Sequence, residues 1–97
     1  MTMGEVRTAD VDTLLAALSA IDDEDTMFAL LEDLFTVRDI RETSQRLAVA
    51  QLLDQGKPYK AIEEATGASA TTIARVSKCL SYGSGGYRAA LDAQAAR

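Results

Sequence analysis

Thr72, Arg75 and Cys79 follow one another at intervals of three and four residues, so on a helix they form one stripe carrying a hydroxyl, a guanidinium and a thiol. Such a stripe can hold an anion; equally, Arg75 can reach a DNA phosphate or a surface carboxylate. The chain contains no histidine, and its single cysteine has no second thiol to pair with. Zinc binding, an internal disulfide and a base-activated nucleophile therefore lack their residues, and the scattered carboxylates form no acid–base pair. No enzymatic activity, cofactor or metal is expected, and Cys79 reads as a small buried side chain beside Leu80. Interleaved with the stripe are Ala70, Thr71, Ala74, Ser77 and Lys78. Methyls of this kind can meet thymine methyls, hydroxyls can meet base edges or phosphates, and Lys78 can neutralise backbone charge in a major groove.

The element that must position these groups is YKAIEEATGASATTIARVSK, Tyr59 to Lys78. It reads as a short helix, a turn and a second helix. Ile62 and Ala65 are expected to face a core from the first helix, Gly67 to supply the positive φ of a tight turn, and Ile73 and Val76 to anchor the second helix. Ser69 is placed to cap that second helix, and its free N–H groups can meet a phosphate. The pattern is that of a helix-turn-helix, although αα corners with a glycine also occur in proteins that never touch DNA. Glu63 and Thr66 depart from the commonest form, which has a small residue and an apolar residue there.

Upstream, Val11, Leu14, Leu15, Leu18 and Ile21 share a helical face after Thr8 and Asp10 as candidate caps. The DDED run from Asp22 breaks this pattern, with Asp23 or Asp25 able to cap a second helix bearing Met27, Phe28, Leu31, Leu34 and Phe35. Thr36 and Asp39 open a long third helix, Val37 to Gln55, whose LAVAQLL end is apolar nearly all round and must be surrounded by protein. That segment is the expected centre of a dimer. Gly56 can end the helix and Pro58 can start the next. After the motif, SYGSGGYRAAL reads as a helix cap and hinge, lacking the strand context of a nucleotide-binding loop, with Tyr82 and Tyr87 as packing residues and a last helix from Tyr87 to Arg97.

With 97 residues, 47% apolar and 5% aromatic, the chain fits one all-α domain with no strands, too small to bury a generous core alone. Within it, 1–56 would be dimerisation helices, 57–80 the helix-turn-helix, and 81–97 the glycine turn and final helix. Charge is polarised. Residues 1–35 hold nine carboxylates against Arg7, a balance of −8; residues 57–88 balance at +3, against −5 for the whole chain. The basic excess sits on the motif, where DNA phosphates would lie. The N-terminus shows neither the basic stretch nor the apolar run of a signal peptide, and no apolar segment is long enough for a bilayer, so a reducing cytoplasm is expected and no membrane partner.

The run LLDQGKPYKAIEEATGASATTIARVSKCLSYGSGGY, with the preceding RETSQRLAVA, resembles the tryptophan-repressor-like family and most closely its YerC/YecD branch. The resemblance spans roughly Phe28 to Leu91. It implies about six helices, an intertwined homodimer with separate DNA-reading heads, and transcriptional control. Its ligand-pocket positions correspond to Phe35, Gln45, Thr72, Arg75, Val76 and Cys79, of which Thr72 and Arg75 keep the family's residue type; an arginine has become Gln45, a glycine Val76 and a serine Cys79. Base- and phosphate-facing positions carry over to Lys60, Glu63, Ala70, Thr71, Ala74 and Ser77, with Glu63 in place of a lysine.

Two functions compete. One is a homodimeric regulator, a repressor, that binds double-stranded DNA through the second helix of the motif; its small-molecule effector is unknown, and Val76 filling an indole slot together with the lost charge at Gln45 argues against tryptophan. The other is a protein–protein adaptor using the helix-turn-helix as a scaffold, its acidic half meeting a basic partner. A steep fall of DNA affinity with salt distinguishes the first from the second.

Overall fold

The computed structural model describes residues 3–96. In chain order the helices are α1 (Met3–Val6), α2 (Ala9–Ala20), α3 (Glu24–Leu34), α4 (Val37–Asp54), α5 (Tyr59–Thr66), α6 (Ala70–Tyr82) and α7 (Gly86–Ala95), with no strand among the described residues. The six longer helices match the expected number. The additional α1 is a single turn of four residues, too short for any periodic signal in the sequence. None of the described helices is long and apolar enough to cross a membrane.

The chain divides into two compact units, Met1–Val37 and Arg38–Arg97. In the first, local hydrogen bonds set the helix ends. Thr8 caps α2 by accepting from the Val11 amide, and Asp23 caps α3 by accepting from both the amide and the hydroxyl of Thr26, at 2.8 and 2.7 Å. A cap of this kind gives the first amides of a helix the acceptors they otherwise lack. Arg7 pairs with Asp12 at 2.8 Å on the surface. No residue of α1, α2 or α3 is buried, and Phe28 and Leu34 of the expected apolar face are 53% and 50% exposed.

The second unit has a core. Val49 and Ala50 of α4, Ile62 of α5, Ala68 of the turn, Ile73 and Val76 of α6 and Leu91 of α7 are buried together, rimmed by Leu47, Leu52, Leu53, Leu80 and Tyr87. LAVAQLL is thus enclosed at Val49 and Ala50 by helices of its own unit, while Leu47, Leu52 and Leu53 are only partly buried. Gly56 ends α4 at φ +78°, where its amide donates to Leu53 and that of Lys57 to Leu52, so two carbonyls at the helix end find partners inside the turn. Two expectations about facing fail. Ala65 is exposed although it lies three residues after Ile62, at the edge of what the core covers, and Tyr82 is 86% exposed because α6 ends with it on the face opposite the core. Arg88 bridges Asp54 of α4 and Asp92 of its own helix, and Gln51 donates to Gln94 at 3.1 Å, fastening α7 to α4.

Candidate nucleic-acid interface

The turn between α5 and α6 is built from four side chains and one glycine. Gly67 sits at φ +74° and returns its amide to the Glu63 carbonyl at 2.9 Å, a conformation that a β-carbon would strain. Thr66, unusual before the turn glycine, explains itself here. Its hydroxyl donates to the Ile62 carbonyl at 2.7 Å and accepts from the Ala68 amide at 3.2 Å, giving that amide a partner that an apolar residue could not supply. Gln45 Nε2 donates to the Thr66 carbonyl at 3.1 Å, tying the motif to α4. Ser69 caps α6 by accepting from the Thr72 amide at 3.2 Å, and Ala68 fills the corner beneath at 4% exposure.

With Ile73 and Val76 buried on one side of α6, Thr71, Ala74, Arg75 and Lys78 recur at intervals of three and four on the opposite side, all exposed. Ser69 and Ala70 are exposed where α6 begins, and Lys60 is exposed on α5. Ser77 and Glu63 are half-buried, since both flank the core rather than oppose it. The outward stripe is small in volume except for two cations, and no carboxylate interrupts it.

The expected effector residues do not all meet. Gln45, Thr72 and Arg75 line one open recess of about 240 Å³ together with Glu42 and Arg46, which the sequence reading did not single out. Val76 is not in this wall. At 2% exposure it belongs to the core, because it lies three residues after Ile73 on the buried stripe, so it does not fill a ligand slot. Cys79 is exposed instead of buried, one position round the helix from Leu80. Phe35 follows α3 in the N-terminal unit and is 37% exposed.

The geometry of a capped, glycine-turned helix pair with an outward polar stripe has a counterpart in known sequences: the Trp repressor protein family matches residues 9–95. The chain belongs to the Trp repressor family. It is a family of regulatory DNA-binding proteins, not of enzymes. Among its relatives is "Uncharacterized protein YerC" of Bacillus subtilis (strain 168), 38% identical over 92 residues that cover 95% of this chain and 88% of the relative. The resemblance to the YerC branch therefore holds. Two crystal structures have similar folds. A candidate Trp repressor from Staphylococcus aureus superposes with a TM-score of 0.90 at 36% identity, covering 97% of this chain and 94% of that one. A TrpR-like protein from Eubacterium eligens ATCC 27750 also gives 0.90, at 35% identity and 95% coverage of each chain.

Proposed function

We propose that this member of the Trp repressor family is a cytoplasmic, homodimeric repressor that reads double-stranded DNA in the major groove with α6. The observation that carries this reading is the exposed stripe of Thr71, Ala74, Arg75 and Lys78, opposite the buried Ile73 and Val76, on a helix whose start is fixed by Ser69. Ser69, Ala70 and Ser77 lie beside that stripe in and just before α6, and with the exposed Lys60 of α5 they complete the contact surface in this reading. Lys60 and Lys78 meet phosphates; Thr71 and Ala74 meet base edges.

The test is direct. Lys78→Ala should weaken binding to every sequence and flatten the salt slope by about one unit for each copy contacting the duplex. Thr71→Ala should shift preference among sequences by roughly 1–3 kcal/mol. Parental behaviour in both variants removes α6 as the reading helix.

Dimerisation supplies the burial that α2 and α3 lack. Sedimentation at low micromolar concentration should return twice the chain mass, and a folded monomer overturns this part. Free tryptophan is not the effector in this reading. The recess falls below the ~300–1,000 Å³ usual for small-molecule pockets, Glu42 lines it, and the Gln45 amide that replaces a family arginine is engaged by Thr66. Titration with millimolar tryptophan should show no saturable heat and no change in DNA affinity.

A further inference from the structure

We propose that Tyr82 continues the DNA-facing stripe of α6 by one more turn, and that its phenol donates a hydrogen bond to a backbone phosphate at the rim of the groove; this rests on the DNA-binding reading above. The spacing places it there. Thr71, Arg75, Lys78 and Tyr82 recur at intervals of four, three and four residues, one line along the helix opposite the buried Ile73 and Val76. The three tyrosines differ in what covers them. Tyr87 packs on the core and Tyr59 is more than half covered, whereas Tyr82 is 86% exposed and its hydroxyl has no hydrogen-bond partner among the described residues.

A single exposed aromatic is ordinary on a protein surface, so the ring alone decides nothing. Its setting does. Lys78 stands one turn before Tyr82 and Arg75 two turns before it, and no carboxylate occurs between Glu64 and Asp92, so a polyanion meets no repulsion from this stretch of chain. Gly83 keeps the end of the helix clear. A β-carbon there would collide with the Cys79 carbonyl, to which the Gly83 amide donates at 2.8 Å, so α6 ends directly after Tyr82 with no side chain at the next position. At ~1.5 Å per residue Tyr82 lies about 16 Å beyond Thr71 along the axis, more than the ~12 Å width of a major groove. With Thr71 at base edges, the phenol therefore reaches the sugar–phosphate wall and not a base. It brings one O–H donor and no charge, so the contact adds affinity without sequence preference and without releasing a counterion.

The experiment measures affinity of the full chain for two duplexes of about 30 bp and unrelated sequence, across roughly 50 to 200 mM NaCl, for the parent, Tyr82→Phe, Tyr82→Ala and Lys78→Ala. Because Tyr82 is exposed, unchanged circular dichroism and melting are expected in its variants. Tyr82→Phe, which lacks only the hydroxyl, should weaken binding about three- to tenfold on both duplexes at every salt concentration and leave the salt slope parental. Tyr82→Ala should lose at least as much. Lys78→Ala should instead flatten the slope by about 0.9 per contacting copy. A loss confined to one duplex makes Tyr82 a base contact and overturns the phosphate assignment, as does a Tyr82→Phe variant that binds like the parent. Sedimentation equilibrium tests the other occupant, a second copy of this chain. If Tyr82→Ala weakens self-association while DNA affinity stays parental, the surface belongs to that copy and the proposal falls. When Lys78→Ala behaves as expected and Tyr82→Phe does not, this contact alone is lost; a parent without salt-dependent DNA binding removes the reading itself, and this proposal with it.

Discussion

Residues 1–37 carry a charge of −8 and bury no residue of α2 or α3, whereas residues 38–97 carry +3 and close seven buried side chains around α4. Helices of 12 and 11 residues are marginal in water on propensity alone. In the second unit, tertiary burial supplies what propensity lacks; in the first, the visible stabilisation is capping at Thr8 and Asp23. The contrast teaches where to look for each function. The unit with a core carries the basic helix that we propose reads DNA, and the unit without one carries the apolar side chains that a second chain would cover in the proposed dimer.

The largest effect expected within this contrast is at Ile62, which is fully buried. Ile62→Ala should cost about 2–5 kcal/mol in urea denaturation, through lost burial and the cavity left behind. A smaller loss places the core of the second unit elsewhere. Phe28→Ala probes the other half. That side chain is half-exposed in the single chain, so its truncation should act on association, weakening the dimer by at least about 2 kcal/mol, or thirtyfold, in sedimentation equilibrium. An unchanged association constant breaks the comparison, because α3 would then owe nothing to a second copy. Next comes Ser69→Ala, expected to destabilise by about 1 kcal/mol and to fray the start of α6, lowering DNA affinity without altering sequence preference.

What could be read from the sequence follows from range. Caps and turns are local, so Thr8, Asp23, Ser69, Gly56 and Gly67 were legible from residue type and spacing, and each is found in its expected role. Which side of a helix is covered depends on its neighbours, and there the sequence misleads. Ala65 and Tyr82 are apolar or aromatic yet exposed, and Cys79, expected to be buried, is exposed as well. Val76 followed from resemblance into a ligand pocket, although its spacing from Ile73 already placed it on the buried side. Arg46 and Glu42 went unnoticed for the opposite reason. Nothing local in RETSQR distinguishes a solvated charge from one facing a recess; the distinction appears only when α6 is laid beside α4. The helix-turn-helix itself was legible because its glycine, cap and apolar spacing all point to one geometry.

The smallest expected effect is one of pH, and it separates the two units by the chemistry of their caps. Asp23 accepts two hydrogen bonds from Thr26, first from the hydroxyl and second from the amide, and both favour the carboxylate, holding its pKa below the ordinary value of 3.8. A carboxyl depressed in the folded state contributes stability that is fully present above its unfolded pKa and is lost as pH falls through the folded value. The contribution of Asp23 is therefore intact above about pH 5 and disappears below 3.8. Ser69, which caps α6 with a hydroxyl, has nothing to titrate over this range. Carboxyl-detected NMR should place the Asp23 midpoint below 3.8, and Asp23→Asn, which keeps an acceptor but cannot ionise, should converge with the parent in melting temperature as the solution is acidified past that point. A midpoint at or above the ordinary value means that the Thr26 contacts do not form in solution, and the start of α3 then loses the one local interaction that distinguishes it from a helix held only by a partner.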